Sequence, residues 1–470
     1  MATSDNLGRG APLPIRPRLP VARGSHWKSD CISVLCGAGL ACSTPSVHGA
    51  DNGNTTFQWQ AFVDAYVQSP APTTGRPVDT RNPNLWSRLQ VKHDRLLSEQ
   101  FRFEGHASLL TTAPNIFQRN ATGVNELAPM PARLDLTRLS LRYDGDSTSF
   151  LIGKADLSMG VAELYSPVDV FEQFNSSSLM HRYRSGAWQA TMAWRASDSD
   201  EIKVSLLPFN GRAAVLPEDS RWRTAVGTDP IFDIAAATRE QYASTNAVNT
   251  GKLVRYSATR EGYDWFLGAY QGRAPYVNLR RTITLTGVFP LITTSVNTAY
   301  VVPRSHAVFG GITRTAGSLG MYGEAIYQRT KGGQDENYLR YVVGITYRET
   351  QFANRMGWEE ITPVLEYAGE KADGAQDVTL YPATSAATRP YRNALLARLK
   401  FKLDANWKTF VGMSRNVHSH DWVGMAGFEY RFSDDLSFFG QATFLGGAEG
   451  TQFGRWRRND NLSLGFDFRF

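Results

Sequence analysis

The chain has 470 residues, of which 42% are hydrophobic, 20% charged and 12% aromatic, with 41 glycines, three cysteines and a formal net charge of +6. A helical membrane protein needs apolar runs of about 20 residues, whereas the longest here is the dozen residues of 31–42; the aromatic content excludes a disordered chain, and three cysteines exclude a disulfide scaffold. What remains is a soluble globular protein of two or three domains, or a membrane β-barrel, whose strands alternate lipid-facing and lumen-facing residues and so dilute the average hydropathy.

Residues 1–50 read as a secretory signal peptide. Arg9, Arg16, Arg18, Arg23 and Lys28 precede the apolar run 31–42, and small and polar residues follow as far as Val47-His48-Gly49-Ala50. A basic segment, a short apolar segment and a small-residue cleavage zone are the three parts of such a leader. The alternatives are a basic arm followed by a buried strand, or a lipoprotein leader around Cys42. Cleavage near Ala50 removes every cysteine and leaves 45 basic against 42 acidic residues, a net +3.

From residue 55 the apolar period is two. Phe57, Trp59, Ala61, Val63 and Ala65 share one face near the start, as do Leu395, Ala397, Leu399 and Phe401 later on, and Leu436, Phe438, Gly440, Ala442 and Phe444 near the end. Strict alternation over about ten residues is a strand signal. It predicts strands at 55–68, 84–95, 100–111, 133–143, 147–154, 186–197, 201–208, 252–260, 263–271, 304–315, 319–329, 337–349, 359–368, 392–404, 406–415, 420–432, 435–446 and 460–470, eighteen in all. Sixteen or twenty stay open, because 272–303 can hide a hairpin around Thr282–Thr286.

The connections also alternate. Tight turns at Asp144-Gly145-Asp146, Ser197–Asp200, Glu261-Gly262, Asp404-Ala405-Asn406 and Ser433-Asp434-Asp435 are rich in residues that suit turn geometry. Long connections cover 69–83, 112–131, 155–185, 209–250, 272–303 and 370–390. If the first strand runs outward, all five tight turns fall on one side, as the short periplasmic turns of an outer-membrane barrel do. The fold expected is therefore all-β: a transmembrane antiparallel β-barrel spanning 51–470. The last strand puts Leu462, Leu464, Phe466, Phe468 and the terminal Phe470 on one face. Trp59, Tyr143, Trp188, Trp194, Tyr263, Trp265, Tyr327, Tyr347, Trp407, Trp422 and Tyr430 lie near strand ends, where headgroup-level aromatics belong.

With the outward phase set by the apolar residues, the inward phase is mostly basic. The candidate pore-lining residues are Arg88, Lys92, Arg138, Arg142, Lys154, Arg340, Arg398, Lys400, Lys402 and Arg431. Arg398, Lys400 and Lys402 form a ladder on one strand face, about 6–7 Å apart. Basic residues exceed acidic ones about threefold on the inward faces read this way, and such a lumen concentrates anions. Each cation can equally pair with an inward acid such as Asp94, Glu104 or Glu429. The connection from Ala155 to Phe171 is too apolar for a solvated loop; it either folds into the pore as a constriction or packs on the rim. His418-Ser419-His420-Asp421 carries two histidines beside an acid, but no third anchored ligand is in view.

These features resemble Gram-negative outer-membrane porins, whose terminal Phe is recognised by the barrel assembly machinery. Leu136–Tyr143 followed by Phe150–Lys154, and Tyr165-Ser166-Pro167-Val168-Asp169-Val170-Phe171, are similar to segments of alginate-export porins, although the second begins Ser-Pro where related porins have Asn-Pro. The resemblance implies an outer-membrane location, contact with outer-membrane lipid and a loop-constricted electropositive pore lined by Arg138, Arg142 and Lys154. It implies an anionic solute or polysaccharide such as alginate as cargo, with no cofactor, metal, nucleic-acid partner or catalytic residue. The rival readings are a barrel enzyme of lipase or protease type, which needs a nucleophile beside one of the few histidines, a diffusion porin without anion preference, and a soluble all-β binding protein.

Overall fold

The structure, a computed structural model, describes residues 53–70, 78–112, 133–171, 173–176, 182–208, 221–222, 240–241, 250–274, 278–287, 293–373 and 390–470. The proposed leader and its cleavage zone lie outside them. In chain order the strands are β1 (Gly53–Tyr66), β2 (Asn84–Leu96), β3 (Phe101–Thr112), β4 (Arg133–Asp144), β5 (Thr148–Ala155), β6 (Gln173–Ser176), β7 (Arg182–Ser185), β8 (Ala187–Ser197), β9 (Asp200–Leu207), β10 (Glu240–Gln241), β11 (Gly251–Arg260) and β12 (Tyr263–Arg273). They continue with β13 (Asn278–Thr286), β14 (Thr293–Val301), β15 (Arg304–Ala316), β16 (Leu319–Thr330), β17 (Asn337–Tyr347), β18 (Glu360–Asp373), β19 (Asn393–Lys402), β20 (Trp407–Asn416), β21 (Trp422–Arg431), β22 (Leu436–Gly446) and β23 (Asn461–Arg469).

Eighteen of these form one antiparallel sheet in which each strand pairs with its neighbours along the chain, and β1 pairs with β23 to close it. All eighteen expected strands are present. The hairpin suspected around Thr282–Thr286 also forms, as β13 with β14, but it joins β10 in a separate three-stranded sheet and adds nothing to the barrel. Among the described residues no helix is long and apolar enough to cross a membrane.

Closure follows from the terminal strands. Gln58–Tyr66 pair with Asn461–Arg469, and the last residue completes the seam: Phe470 N donates to Phe57 O, and Phe57 N to Phe470 O, each at 2.9 Å. The Phe57 and Phe470 rings stack outside that seam at 5.5 Å. The tight turns lie at the end that carries the termini, as expected. Arg260 and Tyr263 are joined by only Glu261 (φ 51°) and Gly262 (φ 79°). Positive φ at both central residues is what a twisted two-residue hairpin requires.

One irregularity matters for the pore. In β4, Arg138 opposes His106 but Leu136 opposes Ala107, so Thr137 is the extra residue without a register position of its own on β3. The bulge turns Thr137 and Arg138 to the same side and shifts the outward phase from Leu139 and Leu141 to Leu134 and Leu136. Beside it Gly153 holds φ 126°, and a Cβ there would sit 2.1 Å from the Leu139 carbonyl oxygen.

The outward face is apolar and open: Leu134, Ile152, Leu267, Val308, Val343, Leu395, Val411 and Leu464 are all exposed. Backbone in hydrocarbon must pair internally, and a closed sheet with an apolar exterior meets that demand. Aromatics gather toward the tight-turn end of that face, including Trp407 with Tyr430 (ring centroids 4.6 Å apart), Phe101 with Tyr143 and Tyr256 with Trp265.

Leu267 is 61% exposed on this face. On a water-facing surface Leu267→Arg changes stability by less than about 0.5 kcal/mol. On a lipid-facing one it costs about 2–4 kcal/mol. Urea unfolding of the barrel in lipid vesicles is expected to give the larger value.

Candidate functional site

The connection after β5 turns inward, so the constriction alternative holds over the rim alternative. Its apolar residues explain why. Leu157, Met159 and Val168 are buried against the inward-facing Leu253, Phe266, Tyr270, Phe309 and Ile326. Ala162 is buried against Tyr322, Val342 and Leu396. The segment therefore lies along the inner wall from β9 to β19, and hydrophobic burial drives it there.

A non-repetitive segment inside a barrel brings backbone N–H groups that need acceptors. Two wall carboxylates supply most of them. Glu324 Oε2 accepts from Val161 N at 2.6 Å. Glu366 accepts from Glu163 N (2.8 Å), Leu164 N (2.8 Å) and Tyr165 N (3.0 Å), and Tyr322 Oη donates to it at 2.6 Å. Within the loop, Asp169 Oδ1 accepts from Met159 N and Gly160 N, both at 2.7 Å. Gly160 has no room for a side chain, since a Cβ would lie 1.9 Å from Ser166 Oγ. From β17, Arg340 donates to Tyr165 Oη (3.2 Å) and to the Pro167 carbonyl (3.4 Å).

The ten expected pore residues divide by partner. Arg398 pairs with loop Glu163 at 3.0 Å. Arg138 pairs with Glu104 at 3.1 Å and with loop Asp156. Arg142 pairs with Asp144 at 2.8 Å, and Lys402 pairs with Glu359. Lys154 donates to the Leu136 carbonyl (2.5 Å) and Ser185 Oγ (2.8 Å) and lies 3.7 Å from Asp135, so it ties β5 to the bulged strand. Arg340 anchors the loop, as above. The Arg88 guanidinium lies 5.0 Å over the Tyr183 ring. Lys92 donates to Gln58 Oε1 at 2.8 Å. Arg431 follows Glu429 on the inward phase of β21, at the tight-turn end.

The expected ladder is thus not three free cations. Its two outer members are neutralised by Glu163 and Glu359, and only Lys400 makes neither a hydrogen bond nor an ion pair among the described residues. The expected threefold basic excess is also too high, because Asp64, Asp135, Glu324 and Glu366 occupy inward positions not counted in it. Sequence reasoning missed Glu324 and Glu366 as anchors, although each is an acid in the inward phase between apolar neighbours. It also missed Arg255, on the inward phase of β11, whose guanidinium lies 4.4 Å over the Phe266 ring. Among the described residues Lys92, Arg255 and Lys400 are inward cations that make no ion pair, as is Arg431 at the tight-turn end; the first three stand on the second, eighth and fourteenth strands of the circuit.

The histidine pair at 418 and 420 gathers no third ligand; among the described residues no group of metal-ligating side chains forms. Asp421 is instead buried, accepting from Phe453 N at 2.7 Å and from Ser419 Oγ. At the same long-loop end, Arg221 from the connection after β9 lies 3.5 Å over the Tyr66 ring and donates to Asn459 Oδ1 (2.9 Å) and the Gln68 carbonyl (2.9 Å). Burial pulls its guanidinium below the ordinary value, while Tyr66, Asp79 and Asp64 oppose the shift.

No protein-family model and no curated protein matches the chain. Solved structures do. The BenF-like porin of Pseudomonas fluorescens Pf-5 superposes with a TM-score of 0.53 at 8% identity, over 89% of this chain and 98% of that one. OccK9 (OpdG) of Pseudomonas aeruginosa gives 0.51 at 8% identity, with the same coverage of both chains. OpdK of Pseudomonas aeruginosa, solved with vanillate, gives 0.50 at 7% identity, again with that coverage. The fold is that of outer-membrane porins. The resemblance to alginate-export porins has no counterpart among these three.

Glu366→Ala removes the acceptor of three loop N–H groups. Each uncovered N–H costs about 1–3 kcal/mol, enough to loosen the loop while leaving the sheet paired. Single-channel conductance is expected to rise and the 156–171 segment to become protease-sensitive. Unchanged values of both would show that burial alone seats the loop.

Proposed function

We propose that the protein is a bacterial outer-membrane channel, not an enzyme, that passes small anionic solutes by passive diffusion. The observation that carries the reading is the trio Lys92, Arg255 and Lys400: inward-facing cations without an ion pair, six strands apart in a barrel narrowed by an infolded loop. A low-dielectric wall focuses the field of such charges and raises the local anion concentration.

The loop covers the inner wall from β9 to β19. The remaining wall carries Gln58, Gln60, Lys92 and Asp467, with Gln58 and Gln60 both donating to Asp467. The loop's apolar residues pack against the wall, so a solute passing between these surfaces meets a narrowed path with polar groups and Lys92 on the far side, which suits a small organic acid. The vanillate in the OpdK structure, an aromatic carboxylate, supports the same class. Export of an acidic polysaccharide such as alginate is the finer alternative carried by the sequence resemblance. By the same resemblance, Phe470 and its strand are what the assembly machinery engages.

Reversal potentials across a salt gradient test the reading. Lys92→Glu with Lys400→Glu is expected to lower anion preference several-fold, on the scale of a lumen potential of a few kT. Arg398→Gln with Glu163→Gln removes a neutral pair and is expected to leave the preference unchanged while loosening the loop. Unaltered selectivity in the double variant sinks the anion reading and leaves a non-selective porin. Block of the current by uronate oligomers, but not by monomeric carboxylates, favours the polysaccharide.

A further inference from the structure

A second cationic site lies outside the barrel. On four adjacent strands, Lys252 opposes Gln271, Gln271 opposes His306, and His306 opposes Arg329. Direct partners of this kind are about 5 Å apart, so the four side chains make one row across the wall. Each is exposed and shares the outward phase of its strand with Val254, Ala269, Val308 or Tyr327 two residues away. The row borders an open recess of about 550 Å³ whose lower lining includes Val204, Val254 and Val308.

The height of the row is informative. Gln271 stands eight residues from Tyr263, the outward aromatic at the tight-turn end of β12. That is about 26 Å along the strand, or about 20 Å along the membrane normal at a tilt near 40°. The apolar band of such barrels is about 25 Å tall. The row therefore sits where hydrocarbon gives way to headgroups, at the long-loop end. Arg329 lies 5.9 Å over the Tyr327 ring, and Tyr327 Oη donates to Asp373 at 3.2 Å beside it. Among the described residues, Lys252, His306 and Arg329 have no ion pair. Two full cations and two further hydrogen-bonding side chains, aimed at lipid and not ion-paired among the described residues, call for an anion from the membrane.

We propose that this row binds the phosphate headgroup of an anionic lipid, with the acyl chains lying on the apolar recess below. Phosphate suits the set: guanidinium and ammonium provide charge-assisted hydrogen bonds, and Gln271 and His306 add donors between them. The proposal rests on the membrane-channel reading, since it needs this face to meet lipid.

The test measures lipid retained per barrel by native mass spectrometry of the full chain. The probes are doubly phosphorylated lipid A and the same lipid after phosphatase treatment. The parent protein is expected to retain the phosphorylated form and not the other. Lys252→Gln with His306→Gln and Arg329→Gln is expected to lower retention about tenfold or more, the scale of two lost surface cations. Arg415→Gln, an outward cation on another wall, keeps it, as does the charge-conserving pair Lys252→Arg with Arg329→Lys. Equal retention by the triple variant overturns the proposal. So does equal retention of both lipid forms, or full displacement by inorganic phosphate. Heat-modifiable gel migration and conductance are measured on the same samples. Their loss in the parent refutes the channel reading itself, whereas their persistence without lipid retention refutes only the lipid site.

Discussion

The demand that every backbone amide find a partner shapes this molecule at two levels. In the wall it is met by closing the sheet: β1 must pair with β23, and the terminal Phe470 completes that seam with two hydrogen bonds. In the lumen the same demand falls on the loop after β5, which has no strand to pair with. There it is met by side chains, with Glu324 and Glu366 acting as fixed acceptors where a β-ladder would otherwise serve. Wall and constriction thus depend on one another, because the carboxylates are aimed correctly only while the strands that carry them keep register.

This arrangement also decides the electrostatics of the pore. Glu324 and Glu366 are turned toward the loop amides, although their charge still acts on Arg255 and Arg398. The acids that do pair with cations are mostly carried by the loop and the tight-turn end: Asp156 and Glu163 reach Arg138 and Arg398, while Asp144 and Glu359 reach Arg142 and Lys402. Inward cations such as Lys92, Arg255 and Lys400 stand where those acids do not reach them.

The barrel was legible because its signal is periodic and local. Alternation, turn residues and the parity of connections pointed to eighteen strands, with sixteen or twenty left open, and to their direction, since a one-residue slip would turn every apolar side chain the wrong way. The apolar stretch 155–171 was legible as misplaced for a solvated loop, but its destination was not, because the wall residues it packs on come from strands as distant as β16 and β19. Pair partners were illegible for the same reason. Nothing near Arg398 in sequence announces Glu163, and nothing near Glu366 announces the loop amides. The bulge at Thr137 and the positive φ of Gly153 broke the local phase, so Lys154, expected in the pore, ties strands together instead.

The two faces of the wall obey different rules, and this explains where reading by phase succeeds. Outside, the solvent is uniform, so each outward position asks the same question and a simple apolar pattern answers it. Among the exceptions, Lys252, Gln271, His306 and Arg329 stand at one height on four adjacent strands, and in a uniform apolar medium such a departure has to be matched by something that the medium itself supplies. Inside, each position faces something different: water, the loop, a neighbouring ion or a stacked ring. An inward cation is therefore defined by what it meets across the lumen rather than by its phase, and Arg255 over Phe266 and Arg398 against Glu163 share a phase without sharing a role.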